Sequence, residues 1–329
     1  DNVSSAIYPW LDQKILNTSI TSLPHALIIN GPEGIGKRSF ASDLTKNILL
    51  HGLNDQSPSE HIKLINSKNH PDLYELDKDT IKVGDISRRK DDKWDSEKGK
   101  RDAISFLNLT PSISKNKVLL MHNVDNMTLA SQDALLKSLE EPAAFSYILM
   151  TTSRPHSLKS TIYSRCQTVN IKNPSREDIN IWLEGQGLSD YSSLDFPSYY
   201  TPIQILDTIN SENAKIFKEF IELFSNYLRN KIPQNEFIKD FSDYDLDLVE
   251  KLNFTVEVLK ILLSSKLCNR KLNGVYAVFN NFVFSNLKIS NIINDINDLK
   301  FNFYKVKSIN ESHIFNYLFS DIKTSFRPQ

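Results

Sequence analysis

The sequence predicts an α/β fold: a parallel sheet flanked by helices, built on a phosphate-binding loop and followed by an all-helical region. Three observations predict it. Gly31-Pro32-Glu33-Gly34-Ile35-Gly36-Lys37-Arg38 lies between an apolar run at 26–29 and a helical pattern at 39–50. In such a setting glycines let backbone N–H groups wrap an anion, and a lysine adds mobile charge. Apolar strand patterns then alternate with helical ones as far as Ile171, as a doubly wound sheet requires. Beyond Pro174 only helical periodicity remains.

Taken in order, residues 8–20 read as a short helix carrying Trp10, Leu11, Ile15 and Leu16. Pro24 resets the chain before the first strand. The helix after the loop sets Phe40, Leu44, Ile48 and Leu49 on one face, so it should pack on the sheet. Residues 51–68 are polar and without clear period. His70-Pro71-Asp72 leads into an alternating strand at 73–76, and His70 is expected to be a turn residue rather than a metal ligand. A short extended piece at 81–83 precedes a helix opening near Gly84. The mixed charge run at 88–93 is expected to be a solvated face, and 95–100 a loop.

The run at 117–121 is apolar enough to be a central parallel strand. It ends in His122 and Asn123, with Asp125 expected to lead into the next helix. That helix, 128–141, carries Leu129, Leu135, Leu136 and Leu139 and is stopped by Pro142. A buried strand follows at 147–152, with Thr152 at its end. A short helix at 158–163 delivers Ser164-Arg165-Cys166, and 166–171 alternates as a further strand. Ser175 and the acids after it suit a helix N-terminus. Helices are expected at 179–185 and 203–209, around 216–224, and at 246–268, 275–287 and 309–319.

Composition narrows the function classes. A chain of 329 residues, 40% hydrophobic and 24% charged, should fold as two or three core-forming domains. Its net charge of −1 is not that of a simple polycation for nucleic acid. Two cysteines, Cys166 and Cys268, are too few for a disulfide framework or zinc site and fit a reducing compartment. The first residues lack a signal-peptide pattern, and the most apolar helical stretch, 254–268, is interrupted by Glu257 and Lys260. No membrane span and a cytoplasmic location are therefore expected.

One letter of the loop departs from the phosphate-loop pattern. The position after Lys37 should carry a hydroxyl to hold Mg²⁺, and a guanidinium at Arg38 cannot ligate a cation. The strand end at His122 and Asn123 likewise offers no carboxylate for metal or attacking water. Gly31, Gly34, Gly36, Lys37, Arg38 and Thr152 are the candidate phosphate contacts.

Several pieces coincide in order and spacing. They are Tyr8-Pro9-Trp10-Leu11, Leu23-Pro24-His25-Ala26-Leu27, the loop ending Gly36-Lys37-Arg38, and His70-Pro71-Asp72. Ala134-Leu135-Leu136-Lys137-Ser138-Leu139-Glu140-Glu141-Pro142 and Ser164-Arg165-Cys166 complete the series. In these the chain resembles the delta-prime subunits of the bacterial DNA polymerase III clamp loader. The resemblance implies an AAA+ core at 1–172, a small helical lid at 173–210 and a helical collar at 211–329. It implies assembly with gamma/tau and delta subunits, and action on the sliding clamp and primer-template DNA through that complex. It also implies that Arg165 is an arginine finger acting in trans on a neighbour's ATP, a role worth orders of magnitude in rate. From the residues alone, an ordinary surface ion pair is the favoured role for Arg165. Residues 50–69 contain no cysteine, so the zinc module of such subunits is not expected. The segment 199–203 lacks the second sensor arginine of an active subunit.

A non-hydrolysing subunit of the polymerase III holoenzyme follows, itself without ATPase or polymerase activity. It needs no cofactor, though ATP, ADP or phosphate could occupy the loop without being turned over. The alternative is an active gamma/tau-type ATPase in which Asp125 or Glu141 replaces the missing carboxylates. A third possibility, direct DNA binding through Arg88, Arg89, Lys100 and Arg101, is disfavoured by the near-neutral charge.

Overall fold

The computed structural model describes residues 8, 10–11, 20–53, 58–87, 102–154, 156–211, 213–302 and 311–326. Most of the expected first helix, the charge run at 88–93, the loop at 95–100, Lys100 and Arg101 lie outside the described residues. The chain separates into two compact units. One comprises residues 1–178 with 201–203, the other 179–200 with 204–329.

The first unit contains β1 (Ala26–Asn30), α1 (Lys37–Leu50), α2 (Pro58–Asn66), β2 (Leu73–Leu76), α3 (Val83–Ile86) and α4 (Ala103–Leu107). It continues with β3 (Lys117–Met121), α5 (Leu129–Glu140), β4 (Ser146–Thr152), α6 (Ser160–Tyr163) and β5 (Gln167–Asn170). The five strands form one sheet in the order β2-β3-β4-β1-β5, every pair parallel. This is the expected fold class. β3 is buried throughout, as a two-sided central strand must be. At the edge, β5 buries only Val169. One face of the sheet, through Ile28, Leu119, Met121, Ile148 and Met150, joins a core with Leu135 and Leu139 of α5. α1 packs on β1, β3 and β4. Fully buried leucines of this kind contribute roughly 1.5–3 kcal/mol each.

Some expectations need correction. Residues 51–68 hold α2, whose buried residues are His61 and Ile65. Its single buried stripe is too narrow to give a clear period. In α5 the buried residues are Ser131, Gln132, Leu135 and Leu139, whereas Leu129 is 67% exposed. Gln132 can be inside because its amide donates to Met127 O and accepts the Lys159 N–H. His70 opens a turn as expected, its O accepting the Leu73 N–H at 3.1 Å, and it is also a buried member of a polar knot. Its Nδ1 accepts the Asp72 N–H at 3.2 Å and its Nε2 lies 3.0 Å from His61 Nδ1. The Asp72 carboxylate in turn accepts the N–H groups of Ser112, Ile113 and Ser114. Burial pushes the His70 pKa down.

Further along are α7 (Arg176–Gly185), α8 (Pro202–Asn210), α9 (Ile216–Leu228), α10 (Gln234–Ser242), α11 (Leu248–Leu267), α12 (Asn286–Asn302) and α13 (Glu311–Ser325). The second unit is held by an aromatic core. Phe220 of α9 stacks on Phe241 of α10 at 4.8 Å, and Phe237 meets Phe319 of α13 edge-on at 4.7 Å. The helix expected at 275–287 is instead a 3₁₀ helix, Gly274–Phe279, followed by the start of α12. α10 and α12 were not legible as separate helices. α12 is rich in Asn, a weak helix former, and forms because Ile289, Ile292 and Ile296 enter the core.

Candidate functional site

Parallel pairing places the C-terminal ends of the strands along one edge of the sheet, and the loop leaves β1 there. Gly31 is required by close approach: a Cβ at this position would lie 2.7 Å from Ile171 O. Gly34 and Gly36 have φ of 74° and 93°, the left-handed region that favours glycine. Tyr8 packs on Gly36, its ring 3.3 Å from where a Cβ would sit, and Trp10 Nε1 donates to Ile35 O at 3.0 Å. The aromatic opening of the chain therefore lies against the loop. The N–H of Ile203 donates to Gly34 O at 3.3 Å.

Lys37 turns into its own loop. Its Nζ donates to Gly31 O at 2.7 Å, Pro32 O at 2.6 Å and Ser153 Oγ at 2.9 Å, and the residue is 7% exposed. Burial lowers its pKa to about 8, against the opposing charges of Asp125 and Glu33. Asp125 sits in the 3₁₀ turn Val124–Asn126 and accepts the Ser153 N–H at 3.2 Å. It is therefore part of the loop's surroundings, not only a link to the next helix. As expected, that turn leads to Thr128, which caps α5.

The other predicted contacts are held elsewhere. Arg38 forms a two-point pair with Asp77, at 2.5 and 2.8 Å, just past the end of β2. That hydrogen-bonded guanidinium holds the Asp77 carboxyl below its usual pKa. The Thr152 hydroxyl is spent on its own turn, accepting Arg154 N–H and donating to Arg154 O, while Thr152 O accepts the Gly31 N–H. His122 is buried, within 3.3 Å of Thr151 Oγ1 and 3.6 Å of Glu75. Burial lowers its pKa, leaving a neutral ring where a metal-holding carboxylate would stand.

Arg165 lies on the opposite edge of the sheet. β1 and β5 are parallel, with Leu27 opposite Gln167 and Asn30 opposite Asn170. The loop follows Asn30, whereas Arg165 precedes Gln167. Three strand steps alone separate the two edges by about 10 Å. Arg165 Nη1 donates to Thr161 O at 2.8 Å and Ser164 Oγ at 3.2 Å, and Nη2 pairs with Glu140 at 2.6 Å. Beside it, burial pushes the Cys166 thiol up to about 12.

Sequence reasoning missed Ser153, Asp77 and Glu140 as partners of Lys37, Arg38 and Arg165. Ser153 was the accessible one, directly after the strand end at Thr152. The other two pairs span 39 and 25 residues, separations that only the folded sheet brings together.

Comparison with known proteins agrees with this architecture. The model of a family described as "DNA polymerase III, delta subunit" matches residues 11–175, half of the chain. The DNA polymerase III subunit delta' of Haemophilus influenzae is 27% identical over 238 residues, covering 70% of this chain and 69% of that protein. The Pseudomonas aeruginosa subunit delta' is 30% identical over 175 residues, 49% of this chain and 47% of its own length. A tau/gamma subunit from H. influenzae is 31% identical over 154 residues, 46% of this chain and 20% of that protein. The motifs, the sheet and the span of the family match lead to one assignment: the chain belongs to the delta-prime family of DNA polymerase III clamp-loader subunits.

Proposed function

We propose that this chain is a non-hydrolysing clamp-loader subunit that supplies Arg165 to the ATP site of a neighbour. It assembles with gamma/tau and delta subunits and acts on the sliding clamp and primer-template DNA through that complex. The observation that carries this proposal is the placement of Arg165 on the sheet edge away from its own loop. Any phosphate it touches belongs to another molecule, the arrangement of an arginine finger supplied in trans.

The loop supports the other half of the proposal. Lys37, which in a working site reaches for phosphate, is committed to Gly31 O, Pro32 O and Ser153 Oγ. Arg38 occupies the position of the metal hydroxyl and is paired with Asp77. These residues do not fit a magnesium-bound triphosphate. ATP, ADP or phosphate would be held weakly by loop amides, without strict Mg²⁺ dependence and without turnover, and no zinc is needed.

Reconstitution with gamma/tau and delta subunits tests the finger. Arg165→Ala should abolish DNA- and clamp-stimulated ATPase while the complex still assembles. Loss of assembly would make Arg165 structural; retained ATPase would refute its role.

A second function, an active gamma/tau-type ATPase, is favoured by Asp125, which faces Ser153 and influences Lys37. Turnover by the isolated chain near one per second, abolished by Asp125→Asn, would establish it.

A further inference from the structure

We propose that Glu140 is a positioning residue for Arg165, a weak latch that holds the guanidinium against this chain until a neighbour's phosphate displaces it. The inference rests on the finger role proposed above.

Glu140 is the last residue of α5 and Glu141 follows it. Carboxylates at a helix C-terminus oppose the helix dipole, which favours cations there. The end of α5 therefore lacks local reason to carry Glu140 and gains one from the guanidinium 2.6 Å away. The geometry of Arg165 points the same way. Its side chain is folded back on the carbonyl of Thr161, four residues earlier, and on Ser164 Oγ. Adding Glu140, these contacts commit three of the five donors a guanidinium possesses. An arginine in this state is turned towards its own chain and half neutralised. To present its whole guanidinium edge to a phosphate in trans it exchanges the Glu140 carboxylate for phosphate oxygens.

The strength of the pair suits a latch. Arg165 is 33% exposed and Glu140 48%, so water and salt screen their attraction. An ion pair this exposed shifts an equilibrium by roughly twofold to fivefold. That is enough to bias the arginine inwards in an unstimulated complex, and little enough for a multiply charged phosphate to overcome. A fully buried pair would have locked it.

The test uses the complex reconstituted with gamma/tau and delta subunits. ATP hydrolysis is measured with and without clamp and primed DNA for wild type, Glu140→Gln, Glu140→Ala, Arg165→Ala and Glu140→Gln/Arg165→Ala. Removing the carboxylate should raise the unstimulated rate about twofold to fivefold and change the stimulated rate less. The gain should vanish in the Arg165→Ala background, which separates it from a general change in folding or assembly. Higher salt should bring wild type towards Glu140→Gln. If Arg165→Ala abolishes stimulation but neither Glu140 variant raises the unstimulated rate, the latch is refuted and the finger stands. If Arg165→Ala leaves stimulation intact, the finger fails and the latch with it.

Discussion

Replacing Lys37 by alanine separates a strut from a nucleotide ligand. In a working phosphate loop the amine projects towards solvent and ligand, so its removal barely alters the stability of the empty protein. Here Nζ is buried and donates to Gly31 O, Pro32 O and Ser153 Oγ. Ser153 can turn to other partners, but the two carbonyls lose a charged donor. Each unsatisfied buried acceptor costs about 1–3 kcal/mol. Two effects reduce that sum: water can reach half-buried Pro32, and an ammonium held at a pKa of about 8 no longer has to be buried. The net loss expected is about 2 kcal/mol. Because the chain folds as two units, a single unfolding midpoint would mix them. Hydrogen exchange of peptides covering 26–50 is the better assay, and protection there should fall by about 30-fold. Lys37→Met, which keeps the apolar stem, should lose a similar amount. The pH dependence has a definite sign. Lowering the folded pKa from 10.5 to about 8 leaves the unfolded chain with more bound protons between those values. Wild-type stability from this group therefore rises with pH across that window, and Lys37→Ala should lack the rise. Unchanged protection in both variants would refute the strut.

Four further outcomes are expected. Gly31→Ala should destabilise the first unit by about 1–3 kcal/mol, because its Cβ would meet the Ile171 carbonyl, and faster hydrogen exchange of peptides covering 26–50 would register it. Arg38→Ala should raise the Asp77 pKa; the pair contributes only above the carboxyl's unfolded pKa and is lost as pH falls through the lowered folded value. Acid unfolding should show a difference of about 0.5 kcal/mol that closes at low pH. Lys251, buried and donating to Ser242 O and Glu311, ties α10 to α13, and Lys251→Met should cost about 2 kcal/mol, seen as faster exchange in 311–325. Finally, a thiol reagent at pH 8 should modify exposed Cys268 and leave Cys166, whose pKa is pushed up to about 12, essentially untouched.

The sheet was legible because β1, β3 and β4 are buried on both faces, and such strands read as unbroken apolar runs. Leu129 misled because helical spacing identifies a stripe without saying where it begins; the buried stripe of α5 starts at Ser131 and Gln132. The second unit was legible only as helical. Its register depends on long-range ring contacts such as Tyr227 on Phe237 and Phe319, which no local period encodes. At the site, the departures of Arg38, His122 and Asn123 from the phosphate-loop pattern were legible as residue types. The partners of Arg38, Lys37 and Arg165 were not, because Asp77, Ser153 and Glu140 reach them across separate strands and helices.

The residues of the phosphate-loop motif also have roles inside the fold. Gly31 makes room for Ile171 O, Gly34 and Gly36 hold left-handed backbone, and Lys37 ties two carbonyls to Ser153. Each residue of the pattern thus has an internal role, and its presence alone is weak evidence for ATP turnover. The departing positions are also held within the fold: Arg38 pairs with Asp77, and His122 is buried near Thr151 and Glu75. Packing within the fold accounts for both sets. It would not by itself place a helix-terminal carboxylate 2.6 Å from an exposed arginine on the far edge of the sheet. The proposed latch would account for that pair, which makes the Glu140 and Arg165 variants the decisive ones to measure.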